Sequence, residues 1–286
     1  MQKQQSYQGT GGKLYLVPTP IGNLADMTFR AVEALKEAAL IAAEDTRNTQ
    51  KLLNHFAIET PQISFHEHNY AERIPQLIEK LANGTVIAQV SDAGMPSISD
   101  PGKELVAACV KEGIPVISLP GATAGMTALI ASGLPPQPFT FVGFLPRKKA
   151  AQKAALEAWQ AHPETLIFYE SPYRMAPTVK LFANVFGEER RAVICRELTK
   201  IHEEYLRGTL AELAEYTAAT PLRGECILLV EGHAPAQSTP VWEQWTIEEH
   251  LEHALASGLT SKEAIKEVAH LRGLKKQVVY QVYHRD

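Results

Sequence analysis

Short apolar runs recur along the first part of the chain, with helical patterns between them. "KLYLVPT" (13–19), "ALIAAED" (39–45), "PQISFHE" (61–67), "TVIAQVSD" (85–92) and "IPVISLP" (114–120) have strand length. Each is apolar on both faces, as the strands of a parallel sheet covered on both sides must be. In "DMTFRAVEALKEA", Phe29, Val32, Leu35 and Ala39 fall at steps of three and four and predict one buried helix face. "NYAERIPQLIEKLANG" opens with Asn69 and Glu72 at capping-box spacing and closes on Gly84, and "GKELVAACVKEG" closes on Gly113. This alternation predicts an α/β domain over 13–121, a parallel sheet with right-handed crossovers.

From 122 to 232 the pattern changes. Strands are predicted at "FTFVGF" (139–144), "TLIFYES" (165–171), "RRAVICREL" (190–198), "EYLRG" (204–208) and "ECILLVEG" (225–232). The third and fourth lie too close for a helical crossover, so this domain is a mixed α/β sheet with a hairpin. "GHAPAQSTPV" (232–241) reads as a linker, residues 242–286 as helices, and residues 1–12 as a flexible tail.

Composition narrows the classes. The chain has 286 residues, 45% hydrophobic and 21% charged, the make-up of a soluble globular protein. No apolar run is long enough to cross a membrane, and the N-terminus lacks the apolar core of a signal peptide. The three cysteines are scattered and read as small buried thiols in a reducing cytoplasm. No Cys/His set has zinc spacing. A formal charge of −4 gives no global attraction to nucleic acid, so such contact must come from local patches.

Ligands of an open parallel sheet bind beyond the carboxyl ends of its strands. The loops there are "PTPIGNL" (18–24), "EDTRNT" (44–49), "HEHN" (66–69), "SDAGMPSISDPG" (91–102) and "PGATAG" (120–125), all rich in Gly, Pro or polar groups. The first is no dinucleotide fingerprint: it has one glycine, and prolines stand where a pyrophosphate needs N–H donors. The loops suit a smaller adenosine-bearing ligand held by backbone and apolar contact. In "PGATA", Gly121 permits close approach and Thr123 offers a hydroxyl.

The series "LYLVPTPIGNL", "AEDTRNTQKLL", "HEHN", "VSDAGMPSISDPG", "LPGATA", "GFLP", "TLIFYESPYR", "RELTK" and "GECILLVEG" runs in order from residue 13 to residue 232. It resembles the tetrapyrrole-methylase superfamily and, within it, the ribosomal RNA small subunit methyltransferase I family. The resemblance implies a two-domain tetrapyrrole-methylase-like fold with S-adenosylmethionine in the cleft between the domains, a homodimer, and a helix-turn-helix module at the C-terminus. It implies methyl transfer to the ribose 2′-hydroxyl of a cytidine in the decoding region of 16S rRNA. It also implies a cofactor site at Pro20, Ile21, Asp92, Gly94, Met95, Thr123, Ala124, Tyr169, Leu198 and Ile227. Two positions depart from the family's pattern. Met95 stands where Thr is usual and cannot donate that hydroxyl's hydrogen bond, and "PGATAG" replaces the usual "PGP".

A ribose hydroxyl is a weak nucleophile, so alignment with the methyl group and a nearby base or cation would both help. Candidates are Glu44, Asp45 and Arg47 in one loop, His66 and His68 around Glu67 in another, and Glu170 with Arg174 from the second domain. Asp45 and His66 lead, with Arg47 placing a phosphate. Against this, an Asp45–Arg47 pair is more often a loop-fixing ion pair, His66 reads equally as a histidine at the core edge, and Glu170 as the group that orients Arg174.

Three basic patches are candidate RNA contacts: Arg147, Lys148 and Lys149 with Lys153; Arg190, Arg191, Arg196 and Lys200; and Arg272, Lys275 and Lys276 in the tail. The tail predicts a helix with Thr260 and Glu263 as its capping box and an apolar stripe at Ala264, Ile265 and Val268. A turn at Gly273 and a second helix carrying Tyr280 and Tyr283 follow. Each patch reads otherwise as a solvated face. Two rival functions remain: a corrin or other tetrapyrrole methylase, and a nucleic-acid-binding regulator without enzymatic activity.

Overall fold

The computed structural model describes residues 1–6, 11–233, 241–243 and 245–284. The chain divides into two compact units, Met1–Gly232 and His233–Asp286. Most of the predicted linker lies outside the described residues.

The first unit opens with a parallel sheet of β1 (Lys13–Leu16), β2 (Leu40–Ala43), β3 (Gln62–Ser64), β4 (Val86–Val90) and β5 (Val116–Ser118). Their order is β3-β2-β4-β1-β5. Helices α1 (Phe29–Glu37) and α2 (Thr46–His55) follow β1 and β2 and pack on one face, burying Ala31, Ala34, Leu35 and Leu53 against Ile41, Ala88 and Val90. Helices α3 (Tyr70–Ala82) and α4 (Lys103–Lys111) follow β3 and β4 and cover the other face with Leu77, Leu81, Leu105 and Cys109. β4 therefore leads to a helix on one side while its neighbours β2 and β1 lead to helices on the other. That reversal opens a crevice beyond the carboxyl end of β4.

Local details depart from the sequence reading. Phe29 is exposed and Ala39 pairs with Val86, so the buried face of α1 runs through Ala31, Ala34 and Leu35. "EDTRNT" is a loop only at Glu44 and Asp45, because Asp45 caps α2 and Thr46 begins it. Asn69 precedes α3 but does not cap it; its amide instead accepts from the His66 N–H and donates to Ser64. The N-terminal tail is anchored at Gln4, whose amide exchanges hydrogen bonds with Val116 on edge strand β5.

Helix α5 (Ala124–Ser132) leads into a mixed sheet of β6 (Phe139–Phe144), β7 (Thr165–Glu170), β8 (Arg191–Arg196), β9 (Glu204–Thr209) and β10 (Cys226–Val230). Their order is β6-β7-β10-β8-β9. β6 and β7 run parallel, joined through α6 (Lys149–Trp159), and β8–β9 is the predicted hairpin. Helices α7 (Pro172–Phe186) and α8 (Leu210–Ala219) cover one face, while α5 lies on the other. Arg207 closes the end of α5 by donating to the Ala131 and Ser132 carbonyls. All three cysteines are buried, and burial pushes the thiols of Cys109, Cys195 and Cys226 to about 11, 12 and 11.

The second unit is helical: a short turn at Val241–Glu243, then α9 (Ile247–Ala256), α10 (Ser261–Leu271) and α11 (Lys276–Tyr283). Leu251, Ile265, Val268 and Val279 form its core. Thr260 and Glu263 make the predicted capping box, and Gly273 takes a positive φ in the turn before α11. Among the described residues, no helix is long and apolar enough to cross a membrane.

Candidate functional site

The loops after β1 and β4 are locked together: Thr19 and Gly94 exchange backbone hydrogen bonds at 3.0 Å in each direction. Gly94 has a φ of +79°, and a Cβ there would sit 3.3 Å from Ile21. The left-handed backbone and this close approach explain the glycine. Beyond the pair lies a cleft of about 330 Å³ between the two sheets, within the usual size range of small-molecule sites. Ile21, Gly94, Met95, Thr123, Ala124, Tyr169, Leu198 and Ile227, all singled out in the sequence, line it.

Its two sides reach inward by the same backbone device. Ser97 and Ser99 both take left-handed φ around Ile98, and Glu197 and Thr199 do so around Leu198. Non-glycine residues in this region cost about 1–2 kcal/mol each and gather where a site requires them. Both apolar residues line the cleft. The aromatic wall comes from β6 and β7. A bulge between Phe141 and Gly143 lets Phe141 and Phe144 both pack edge-on against Tyr169, at 5.0 and 5.5 Å. The Gly125 N–H donates to the Tyr169 hydroxyl.

The carboxylates at the ends of β2 and β4 differ sharply: Asp100 lines the cleft, while Glu44 and Asp45 line neither cavity. Asp45 accepts from the Arg47 guanidinium at 2.7 Å and from the Arg47 backbone N–H at 2.8 Å, which holds it at about 2. Burial raises Glu44, and the nearby charges of Asp92, Glu67 and Asp45 add to this, although the Asp92 N–H hydrogen bond opposes it. Asp100 was missed by sequence reasoning although it lies in "SDAGMPSISDPG". It lines the cleft, and burial with the charges of Glu44 and Asp92 raises it to about 6. Among the described residues, Glu44, Asp92 and Asp100 form no salt bridge. Of the three, Asp100 lines the cleft, where a cationic ligand would compensate it. The detectable signal was their convergence from β2 and β4, which requires the strand order.

Glu170 borders the cleft, but its carboxylate is buried and accepts from the Ser171 N–H, the Thr178 hydroxyl and Arg174. This geometry matches the orienting alternative. His66 lies on the edge strand's loop, where Nδ1 accepts from the His68 N–H at 3.3 Å; it lines neither cavity. Pro20 and Asp92, expected at the cofactor, instead border a second cavity of about 220 Å³. The Thr19–Gly94 pairing places them on the outer side of the joined loops.

The basic patches also separate. Arg147, Lys148 and Lys149 are exposed at the start of α6 and form no ion pair among the described residues. In the second stripe, Arg191 pairs with Glu231, Arg196 with Glu204, and Lys200 with Glu197 and Glu225, while Arg190 binds the Glu231 and Phe186 carbonyls. In the helical unit Lys275 and Lys276 are exposed. Arg272 donates to His250 Nδ1 and to the Trp242, Trp245 and Thr246 carbonyls, so its donors hold that unit together.

The family model for tetrapyrrole (corrin/porphyrin) methylases matches residues 13–214. The ribosomal RNA small subunit methyltransferase I of Halalkalibacterium halodurans is 52% identical over 290 residues, covering 100% of both chains. That of Bacillus subtilis is 49% identical over 289 residues, covering 99% of both. Among solved structures, a cobalt precorrin-4 methyltransferase matches with a TM-score of 0.59 at 18% identity, covering 77% of this chain and 94% of that one. Uroporphyrin-III C-methyl transferase from Thermus thermophilus, complexed with S-adenyl homocysteine, matches with a TM-score of 0.55 at 18% identity, covering 77% and 97%. These two structural matches establish the fold alone.

Proposed function

This chain belongs to the ribosomal RNA small subunit methyltransferase I family, within the tetrapyrrole methylases, and from that premise we propose its reaction. It is an S-adenosylmethionine-dependent methyltransferase of small-subunit rRNA. Its target is the ribose 2′-hydroxyl of a cytidine in the decoding region of 16S rRNA. The observation that carries the reading is the cleft beyond β4, which combines an apolar and aromatic wall with the carboxyl group of Asp100, which has no cation partner among the described residues. Those residues fit a ligand with an adenine ring at one end and a positively charged centre within reach of Asp100.

S-adenosylmethionine, when bound, supplies a methyl group on a sulfonium. Met95, Leu198 and Ile227 exclude water, and Tyr169 with Phe144 offers an aromatic surface. Asp100 offers negative charge to the cationic end. The hydroxyl proton needs an acceptor, and ionised Glu44, whose proton affinity burial raises, is a stronger base than Asp45, whose proton affinity the Arg47 hydrogen bonds lower. Arg147, Lys148, Lys149, Lys275 and Lys276 present exposed cations for rRNA phosphates. A homodimer belongs to the same reading. Helix α5 is apolar on all sides, yet Met126 and Ile130 are 40% and 77% exposed, which suits a covered interface. The test is label transfer from methyl-labelled S-adenosylmethionine to small subunits from cells lacking the gene. Label in 16S rRNA supports the reading; label in a tetrapyrrole precursor and none in RNA overturns it.

A further inference from the structure

The second cavity shares its wall with the first. Thr19, Pro20, Ser91 and Asp92 border it, while the chain immediately beyond them, at Ile21, Ala93 and Gly94, borders the cofactor cleft. The Thr19–Gly94 backbone pair joins the two loops that form this shared wall. A group bound there lies beside the cleft without occupying it.

We infer that this cavity receives the substrate nucleotide, with the pyrimidine ring against Leu24 and Leu52 and its exocyclic amine on Asp92. The inference rests on the rRNA methyltransferase reading. Pro20, Leu24 and Leu52 supply apolar surface for a ring, and about 220 Å³ suits one nucleoside and not a tetrapyrrole. Asn48 Nδ2 donates to Asp92 Oδ2 at 3.0 Å, which orients the carboxylate; no partner for Oδ1 is found among the described residues. A carboxylate oxygen accepts from the N4 amine of cytosine and repels the O4 carbonyl of uracil. Lys51 stands at the rim, with one long contact of 3.4 Å from Nζ to Asn48 Oδ1, and the nearby Arg47 side chain is 87% exposed. Both cations can reach a flanking phosphate. Asp92 thereby becomes a specificity residue for the base, distinct from the cofactor contacts.

The test uses small subunits carrying either cytidine or uridine at the methylated position, with S-adenosylhomocysteine affinity measured separately by calorimetry. The wild-type enzyme should prefer cytidine by at least about tenfold in kcat/KM, the scale of one good base contact. Asp92→Asn, which can donate to uracil O4, should narrow that preference to within about threefold. Leu24→Trp, which adds bulk at an exposed rim position, and Lys51→Ala should each raise KM for subunits about tenfold while leaving S-adenosylhomocysteine affinity within about twofold. An unchanged base preference in Asp92→Asn overturns the inference, as does an unchanged KM in both rim variants. Wild-type protein that binds no S-adenosylhomocysteine sinks the underlying methyltransferase reading, and calorimetry shows that outcome separately.

Discussion

Two tripeptides a hundred residues apart, Ser97-Ile98-Ser99 and Glu197-Leu198-Thr199, enter the cleft by the same left-handed backbone but are held differently. The second is pinned. Glu197 accepts from Lys200 at 2.9 Å and from the Glu225 N–H at 2.9 Å, and the Thr199 N–H donates to Glu203. The Glu197 carboxyl lies below its ordinary range chiefly through the Lys200 hydrogen bond, and Leu198 is buried at 6% exposure. Among the described residues, the first shows no such ties. Ser97 Oγ is buried without a partner, and Ile98 is 48% exposed. Each tripeptide keeps one buried hydroxyl without a partner among the described residues, Ser97 Oγ and Thr199 Oγ1; they differ in that one is tied down by charged hydrogen bonds, while the other presents exposed apolar surface at Ile98 that a ligand can cover.

Breaking the junction between these sides should have the largest effect. Gly94→Val forces a side chain into a left-handed position against Ile21 and should weaken S-adenosylhomocysteine binding more than about 100-fold by calorimetry. Asp100→Asn changes charge without changing shape. Binding of the cationic cofactor should fall about tenfold at pH 7.5, a Coulomb effect in a partly solvated cleft. Wild-type affinity should rise as pH increases through about 6, where Asp100 ionises, and the variant should lose that dependence. The sign reverses for stability: a carboxyl raised in the folded state stabilises at low pH and loses that contribution as pH rises through about 6. Ligand-free Asp100→Asn should therefore exceed wild type by about 1 kcal/mol at pH 7.5 in chemical denaturation, the linkage effect being reduced by solvent at the open cleft.

Releasing the pinned side sharpens the comparison. Glu197→Ala should cost about 1–2 kcal/mol of stability at pH 7, the loss of charged hydrogen bonds. Because the Glu197 carboxyl is depressed on folding, its contribution is present above the unfolded value near 4.5 and lost as pH falls further. The gap between variant and wild type should close in acid. The smallest effect is expected on the other side, where Ser97→Gly removes both left-handed strain and a buried unpaired hydroxyl. A gain of about 0.5–1 kcal/mol in denaturation should follow, with little change in cofactor affinity.

Strand length, two-face burial and helix punctuation placed the elements in the sequence, because those signals are local. Phe29 shows the limit: its spacing fits the predicted stripe, but only tertiary contact decides which face is covered. The cleft was legible through motif order, since the loop residues from Ile21 to Ile227 lie together wherever the strands end side by side. That Pro20 and Asp92 border the second cavity and not the cleft could not be read from the sequence, because the Thr19–Gly94 pairing between the cavities has no sequence signature. Asp100 escaped notice for a related reason: its raised proton affinity comes first from burial and then from the charge of Glu44, which is distant along the chain, and both exist only in the fold. Arg272 looked like a free cation until the carbonyls around it were in place.

The central claim is the nature of the methylated atom. The most direct measurement is nucleoside analysis by mass spectrometry of 16S rRNA from gene-deficient small subunits, after incubation with purified protein and S-adenosylmethionine. The account predicts one new methyl group on the ribose of a cytidine, retained when the base is removed. A methyl group found only on a base, or no methylation of 16S rRNA by protein that binds the cofactor, would contradict it.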